Sequence, residues 1–203
     1  MTVEIVLFRL NANVAESDFL NAVAAMTPDL RTLPGYLRRE LLRGDDGLWV
    51  DVVHWCSLAE AQQAMEAMMA KPSMQPFMAM LDDTSMEMHH YAEAVTYGGA
   101  DDQTGLTVEM VLGRLIAGAA AAHFVAAAQA TNRDLAGLPG FLARELSLTE
   151  AGEWADLVHW RSRSEALAAM AHFPSLPSAQ AFGALMDGET LRMLHLERVW
   201  VES

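Results

Sequence analysis

The chain has a single cysteine, Cys56, so no disulfide forms within it and a reducing, cytoplasmic setting is expected. No apolar run in the 203 residues reaches the roughly 18–20 residues of a membrane helix. The sequence opens on a strand-like pattern without a basic stretch and apolar core ahead of it, so no signal peptide is read. Cations are scarce: 13 Lys and Arg stand against 27 Asp and Glu, and the net charge of −14 argues against nucleic acid and anionic membranes as partners. No His-x-His or His-Glu-x-x-His spacing occurs, so no metal centre is expected. No glycine-rich phosphate loop is visible either, since Gly98-Gly99 lies in a polar connecting stretch.

What is present is a globular composition, 52% hydrophobic and 20% charged, written twice. Val3-Glu4-Ile5-Val6-Leu7 returns as Val108-Glu109-Met110-Val111-Leu112. Leu33-Pro34-Gly35 returns as Leu138-Pro139-Gly140, and Asp51-Val52-Val53-His54-Trp55 as Asp156-Leu157-Val158-His159-Trp160. Pro72-Ser73 and His90 return as Pro177-Ser178 and His195. Every pair is offset by 105 positions, with no insertion or deletion, and about four positions in ten are identical. A repeat of this length is a domain. The expected organisation is a first unit over residues 1–97, a glycine-rich linker over 98–106 and a second unit over 107–203.

Within one unit, Val3 to Leu10 reads as a strand covered on both faces. Phe19, Val23, Met26, Leu30 and Leu33 follow at helical spacing, with Pro28 positioned to kink the helix late. Leu33-Pro34-Gly35 stops that helix. Tyr36 to Arg43 and Leu48 to Trp55 are strands joined by an Asp45-Asp46-Gly47 hairpin signal. Ser57-x-x-Glu60 and Ser162-x-x-Glu165 are capping boxes for a second helix, which Pro72 and Pro177 end. A short helical piece through Phe77 or Phe182 follows, and Met86 to Val95 and Leu191 to Val199 read as last strands.

The order β-α-β-β-α-β is the ferredoxin-like unit of the α+β class. Strand three alternates Trp49, Asp51, Val53 and Trp55 on one face with Val50, Val52 and His54 on the other. Two faces this apolar predict one packed on helices and one packed on a partner sheet. The expectation is therefore an intrachain pseudo-dimeric α+β barrel of two tandem ferredoxin-like units, with two related pockets. A homodimer of such pseudo-dimers stays open.

Trp49-x-Asp51-x-x-x-Trp55-x-Ser57-x-x-Glu60-Ala61 and its repeat Trp154-x-Asp156-x-x-x-Trp160-x-Ser162-x-x-Glu165-Ala166 resemble the dimeric α+β barrel superfamily. That group includes antibiotic-biosynthesis-type monooxygenases, haem-degrading monooxygenases and uncharacterised members. The uncharacterised ones are nearest, since their last strand carries a pattern like Met88-x-His90 and Met193-x-His195. The resemblance implies that Trp55 and Trp160 line a pocket inside the barrel, with Trp49, Asp51, Trp154 and Asp156. Haem-degrading members carry a pocket asparagine where Phe8 and Gly113 stand, and a haem-ligating histidine where Met65 and Met170 stand. Haem is therefore not expected, and no other cofactor is.

His90 and His195 are retained while their neighbours drift to leucine in the second copy, which predicts that the histidines face the barrel cavity beside Met88 and Met193. With Asp51 and Asp156 they would make a carboxylate-oriented imidazole suited to general base work. The plainer reading is a buried structural histidine. His54 and His159 fall on the opposite face and are expected to meet the helices in a structural role. Arg39 and Arg144 are the candidate partners of Asp51 and Asp156. Glu4 and Glu109 either join the inward face with Val6 or mark strand ends in water, the second being favoured.

The tryptophans either stack on a planar ligand or fill the core, and the 14 methionines read chiefly as adaptable packing. Gly113 leaves room where Phe8 intrudes, which favours the second copy's pocket as the open one. Two functions follow. One is a cofactor-independent monooxygenase, or a related enzyme, acting on a small apolar or aromatic molecule. The other is a non-catalytic ligand-binding or self-assembling protein.

Overall fold

The structure is a computed structural model that describes residues 1–99 and 103–202. Residues 100–102, within the expected linker, lie outside the described residues. Eight strands and six α-helices are described. No helix among the described residues is long and apolar enough to cross a membrane. The chain divides into two compact units, Met1–His90 with Trp200–Ser203, and Tyr91–Val199.

The first unit runs β1 (Thr2–Leu10), α1 (Glu16–Arg31), β2 (Tyr36–Arg43), β3 (Leu48–Trp55), α2 (Leu58–Met69), α3 (Met74–Met80) and the start of β4 (Leu81–Gly98). Strand β3 lies between β1 and β2, antiparallel to both. Helix α1 buries Phe19, Val23, Met26 and Leu30, the stripe that the sequence spacing predicts. It continues unbroken past Pro28 to Arg31. Ser57 caps α2 by accepting from the Glu60 amide, and its hydroxyl donates to Glu60 Oε2 at 2.7 Å. The glutamate thus reaches the cap hydroxyl rather than the cap amide.

Gly35 turns the chain out of α1 with φ +77°, and a side chain there would meet the Glu60 carboxyl group at 2.4 Å. The turn and the second helix are therefore fitted to each other, and only glycine supplies both the backbone angle and the space.

The second unit repeats the order with the rest of β4, β5 (Thr107–Arg114), α4 (Ala121–Ala136), β6 (Phe141–Leu148), β7 (Glu153–Trp160), α5 (Arg163–His172), α6 (Pro177–Gly183) and β8 (Arg192–Glu202). Its strands pair in the order β8-β5-β7-β6-β4, all antiparallel. Gly140 repeats the role of Gly35 against Glu165.

The units differ from the expected 1–97 and 107–203. Strand β4 is 18 residues long, and its second half pairs with β6 from Ala92 opposite Leu148 to Gly98 opposite Ala143. The hydrogen bonds of that segment, not the polar composition that follows it, decide where it belongs.

Both faces of the first unit's sheet are buried, as the double apolar pattern predicts. Phe8 and Trp49 pack against Phe19 of α1, with ring centroids 5.8 and 4.7 Å apart, and Phe8 also meets Phe77 of α3 at 6.2 Å. This places the helices on the face of Trp49, Asp51 and Trp55. The expectation that this face looks away from the helices is corrected. Alternation fixes which residues share a face, but the aromatic contacts decide which face the helices cover. His54 accordingly lies on the other face, where its Nε2 is 2.9 Å from Arg38 Nη2.

Candidate active site

Each unit holds a cavity between its own sheet and its own helices. The first has a volume of about 360 Å³ and the second about 310 Å³. Both fall in the size range of small-molecule sites. The floor of the first is the helix-side face of the sheet, which presents Glu4, Val6 and Phe8 from β1, Arg39 from β2, and Asp51, Val53 and Trp55 from β3. Its walls and roof come from α1, α2, α3 and the start of β4, and eight of the lining residues are methionines. The second cavity has the same floor with Glu109, Val111, Arg144, Trp154, Asp156, Val158 and Trp160, but only three methionines.

Strand register explains how the polar groups meet. Glu4 and Arg39 flank Val53 from opposite sides, and Asp51 lies two residues along β3 on the same face. Arg39 therefore reaches Asp51 diagonally across the sheet. Its Nε donates to Oδ1 at 2.8 Å and its Nη2 to Oδ2 at 2.6 Å, a two-pronged ion pair with the arginine fully buried. Arg144 holds Asp156 in the same way, at 2.9 and 2.6 Å.

Glu4 has a different partner. His90 Nε2 stands 2.8 Å from Glu4 Oε2, and His195 Nε2 stands 3.2 Å from Glu109 Oε2. In the second unit His195 and Glu109 are directly opposed across β8 and β5. The expected pairing of His90 with Asp51, and of His195 with Asp156, is thus corrected. The arginines take the aspartates, and the glutamates take the histidines.

The other expected site residues fall as follows. Phe8, Trp55, Met88 and Asp51 line the first cavity, and Trp154, Trp160, Met193 and Asp156 line the second. His90 and His195 stand behind Glu4 and Glu109 and are not lining residues. Trp49 packs on Phe19 rather than lining the cavity. Gly113 opens no space: a side chain there would meet Leu191 and Trp154 at 2.9 Å, so these two residues already fill the room that the missing phenyl ring leaves. Both units hold a cavity, the first slightly the larger.

Sequence reasoning placed Glu4 and Glu109 at strand ends in water. Glu4 is buried on the cavity floor, 6% exposed. The signal was present, because a carboxylate retained in both copies of an apolar strand needs a buried partner.

Outside the cavity lining, Tyr36 and Asp29 have shifted acidities. Burial pushes the Tyr36 phenol up to about 12, against a smaller opposing pull from Arg39. The Ser73 hydroxyl, followed by Lys71, holds the Asp29 carboxyl below its usual value.

Among the described residues, no three His, Cys, Asp or Glu side chains gather as a metal site. Haem iron takes His, Cys, Tyr or Met as axial ligand. The two cavities present no His, Cys or Tyr; Met65 and Met170 stand on their walls, and the one arginine in each is committed to an aspartate.

No protein-family profile matches the chain, and no curated protein matches it. Solved structures do. An anthrone oxidase-like protein superposes with a TM-score of 0.69 at 15% identity, over 100% of this chain and 92% of the other. A ferredoxin-fold protein of Listeria monocytogenes, described as related to antibiotic biosynthesis monooxygenases, gives 0.56 at 11% identity, over 98% and 95%. A haem-degrading enzyme of Listeria monocytogenes gives 0.53 at 9% identity, over 97% and 99%. At these identities the likeness is one of fold alone, an α+β fold of the ferredoxin-like kind.

Proposed function

We propose that this protein is a cofactor-independent oxygenase of the reducing cytoplasm, acting on a small, flat, electron-rich aromatic molecule held between sheet and helices. One observation carries the reading: an apolar, methionine-rich cavity has a buried carboxylate on its floor, Glu4, backed at 2.8 Å by His90. Thioether walls adapt to a flat ring and make favourable sulfur–aromatic contacts. Fold-level likeness to an anthrone oxidase-like protein adds an analogy and no more.

The chemistry needs a base and a dry pocket. Glu4 accepts a proton from an activated ring CH2, and His90 positions the carboxylate and shares the charge. The resulting enolate reacts with dioxygen to give a hydroperoxide, which loses water to leave a new carbonyl. One oxygen atom ends in the product and the other in water, and the substrate supplies all the electrons. Arg39–Asp51 and Arg144–Asp156 frame the cavity floors, and Trp55 and Trp160 wall them.

Anthrone is the test substrate, since its oxidation to anthraquinone consumes one dioxygen and releases one water. Oxygen uptake above the uncatalysed rate is expected, falling about 10²–10⁴-fold in Glu4→Gln. His90→Gln should lower the rate and shift its pH profile, and Glu109→Gln and His195→Gln report on the second cavity. Rates unchanged in all four variants, with folding intact, would defeat the assignment. A second reading, a protein that binds such a molecule without transforming it, is favoured by the histidines standing behind the cavity walls. Binding without oxygen uptake decides for it.

A further inference from the structure

The two cavities share a floor plan but differ at one buried donor. In the second unit the Arg144 guanidinium is satisfied on both sides. Beyond its ion pair with Asp156, its Nη1 donates to Ala128 O at 2.8 Å, Thr131 Oγ1 at 2.7 Å and Asn132 Oδ1 at 3.1 Å, all on α4. The positions 105 residues earlier on α1 are Val23, Met26 and Thr27. Methionine offers no comparable acceptor, and Thr27 donates its hydroxyl to Val23 O at 2.7 Å, much as Thr131 donates to Ala128 O in the other copy. Arg39 Nη1 is left buried with no partner.

This orphan donor belongs to a residue on the floor of the first cavity, and Met26, which replaces its threonine acceptor, lines the same cavity. The rest of the guanidinium is locked on Asp51, so the free N–H is charged, fixed in direction and buried. A buried donor without an acceptor is a standing cost that a ligand oxygen removes. Met26 stands at the position from which Thr131 reaches Arg144 in the other copy, and its unbranched side chain can change rotamer without leaving a rigid void. Indole N–H groups without partners line both cavities, Trp55 the first and Trp154 and Trp160 the second, but these donors are neutral, and the unpartnered charged donor is found in the first alone among the described lining residues.

We propose that the cavities are not equivalent: the first selects aromatic molecules bearing a carbonyl, phenolate or carboxylate oxygen, which accepts from Arg39 Nη1 once Met26 moves aside, whereas the second has no such selectivity. This rests on the binding half of the function proposed above, and it holds whether or not turnover follows.

The test is an anaerobic titration of the whole chain carrying [methyl-13C]methionine. The ligands are 1-tetralone and tetralin, which differ chiefly in one carbonyl oxygen. Met65 and Met68 report on the first cavity, and Met170, Met186 and Met193 on the second. At the first cavity tetralone is expected to bind at least about tenfold more tightly than tetralin, the scale of one hydrogen bond from a charged donor. At the second cavity the two should differ by less than about twofold. The double variant Met26→Thr, Thr27→Asn gives α1 the acceptors of α4 and should abolish the preference. The reciprocal Thr131→Met, Asn132→Thr should create it in the second cavity, and it keeps the test alive if the first variant folds poorly. Equal binding of both ligands at the first cavity, or a preference that survives Met26→Thr, Thr27→Asn, overturns the proposal alone. Binding of neither ligand at either cavity overturns it together with the function it rests on.

Discussion

Ser73 donates its hydroxyl to Asp29 Oδ2 at 2.5 Å, tying the entry of α3 to the last turn of α1 across 44 residues. Ser178 and Asp134 make the same tie in the second unit. These links hold the roof of each cavity in place, and the first has a pH signature. The Asp29 carboxyl is depressed mainly by Ser73, so its contribution to stability is present above the unfolded value near 3.8 and is lost as pH falls through the folded one. In Ser73→Ala the Asp29 carboxyl should titrate closer to 3.8 and acid unfolding should begin at higher pH. Carbon-detected NMR titration of Asp29 checks this, and an unmoved titration curve rejects the link.

The buried pair of Arg39 and Asp51 predicts a large asymmetry between single and double substitution. Asp51→Asn leaves a buried guanidinium uncompensated and should cost about 3–5 kcal/mol in urea unfolding. Replacing both partners, Arg39→Met with Asp51→Leu, should cost less than either single change. If the double variant is the least stable of the three, the ion pair contributes net stability here.

Two glycines with the same backbone sign should respond differently. Gly35 has φ +77° and a glutamate against it, whereas Gly47 has φ +80° with its nearest neighbour, an arginine tip, at 3.6 Å. Gly35→Ala should cost more than about 1 kcal/mol. Gly47→Asn should be mild, since asparagine visits the left-handed region and the space is open. Thermal unfolding of the two variants side by side reads the difference.

Tyr36 should resist ionisation. Burial raises its phenol to about 12, so absorbance titration of the parent against Tyr36→Phe should place the difference between the two curves near pH 12 rather than near 10. A raised folded value means that this stabilisation is complete below pH 10 and disappears as pH climbs toward 12. A difference that appears near pH 10 contradicts the burial.

Hemin added to the protein should give no sharpened, ligated Soret band, because neither cavity wall carries a histidine, cysteine or tyrosine. Placing a ligand on α2 with Met65→His is the positive comparison. A ligated spectrum in the parent overturns the reading of these cavities as haem-free sites.

Much of this was legible in the residues. The helical stripe from Phe19 to Leu30, the Asp45-Asp46-Gly47 turn and the Ser57 and Ser162 caps are where their spacing put them. The ion pair of Arg39 with Asp51 followed from a carboxylate among apolar neighbours. Two things were not legible. Period-two alternation sorts Trp55 from His54 without saying which faces the helices, because that depends on Phe8, Trp49 and Phe19 meeting in space. The partner of His90 was hidden as well. Glu4 is 86 residues away, and only the lateral placement of β1 beside the start of β4 brings the two together. Reading Gly113 as open room failed for a related reason, since distant Leu191 occupies it.

The fixed 105-residue spacing has an evolutionary consequence. A symmetric assembly of identical subunits receives each mutation in every site simultaneously, so a change that harms folding is multiplied. A single polypeptide carrying both versions breaks that symmetry. Met26 stands on one side where Thr131 secures an arginine on the other, a difference that two identical subunits could not carry.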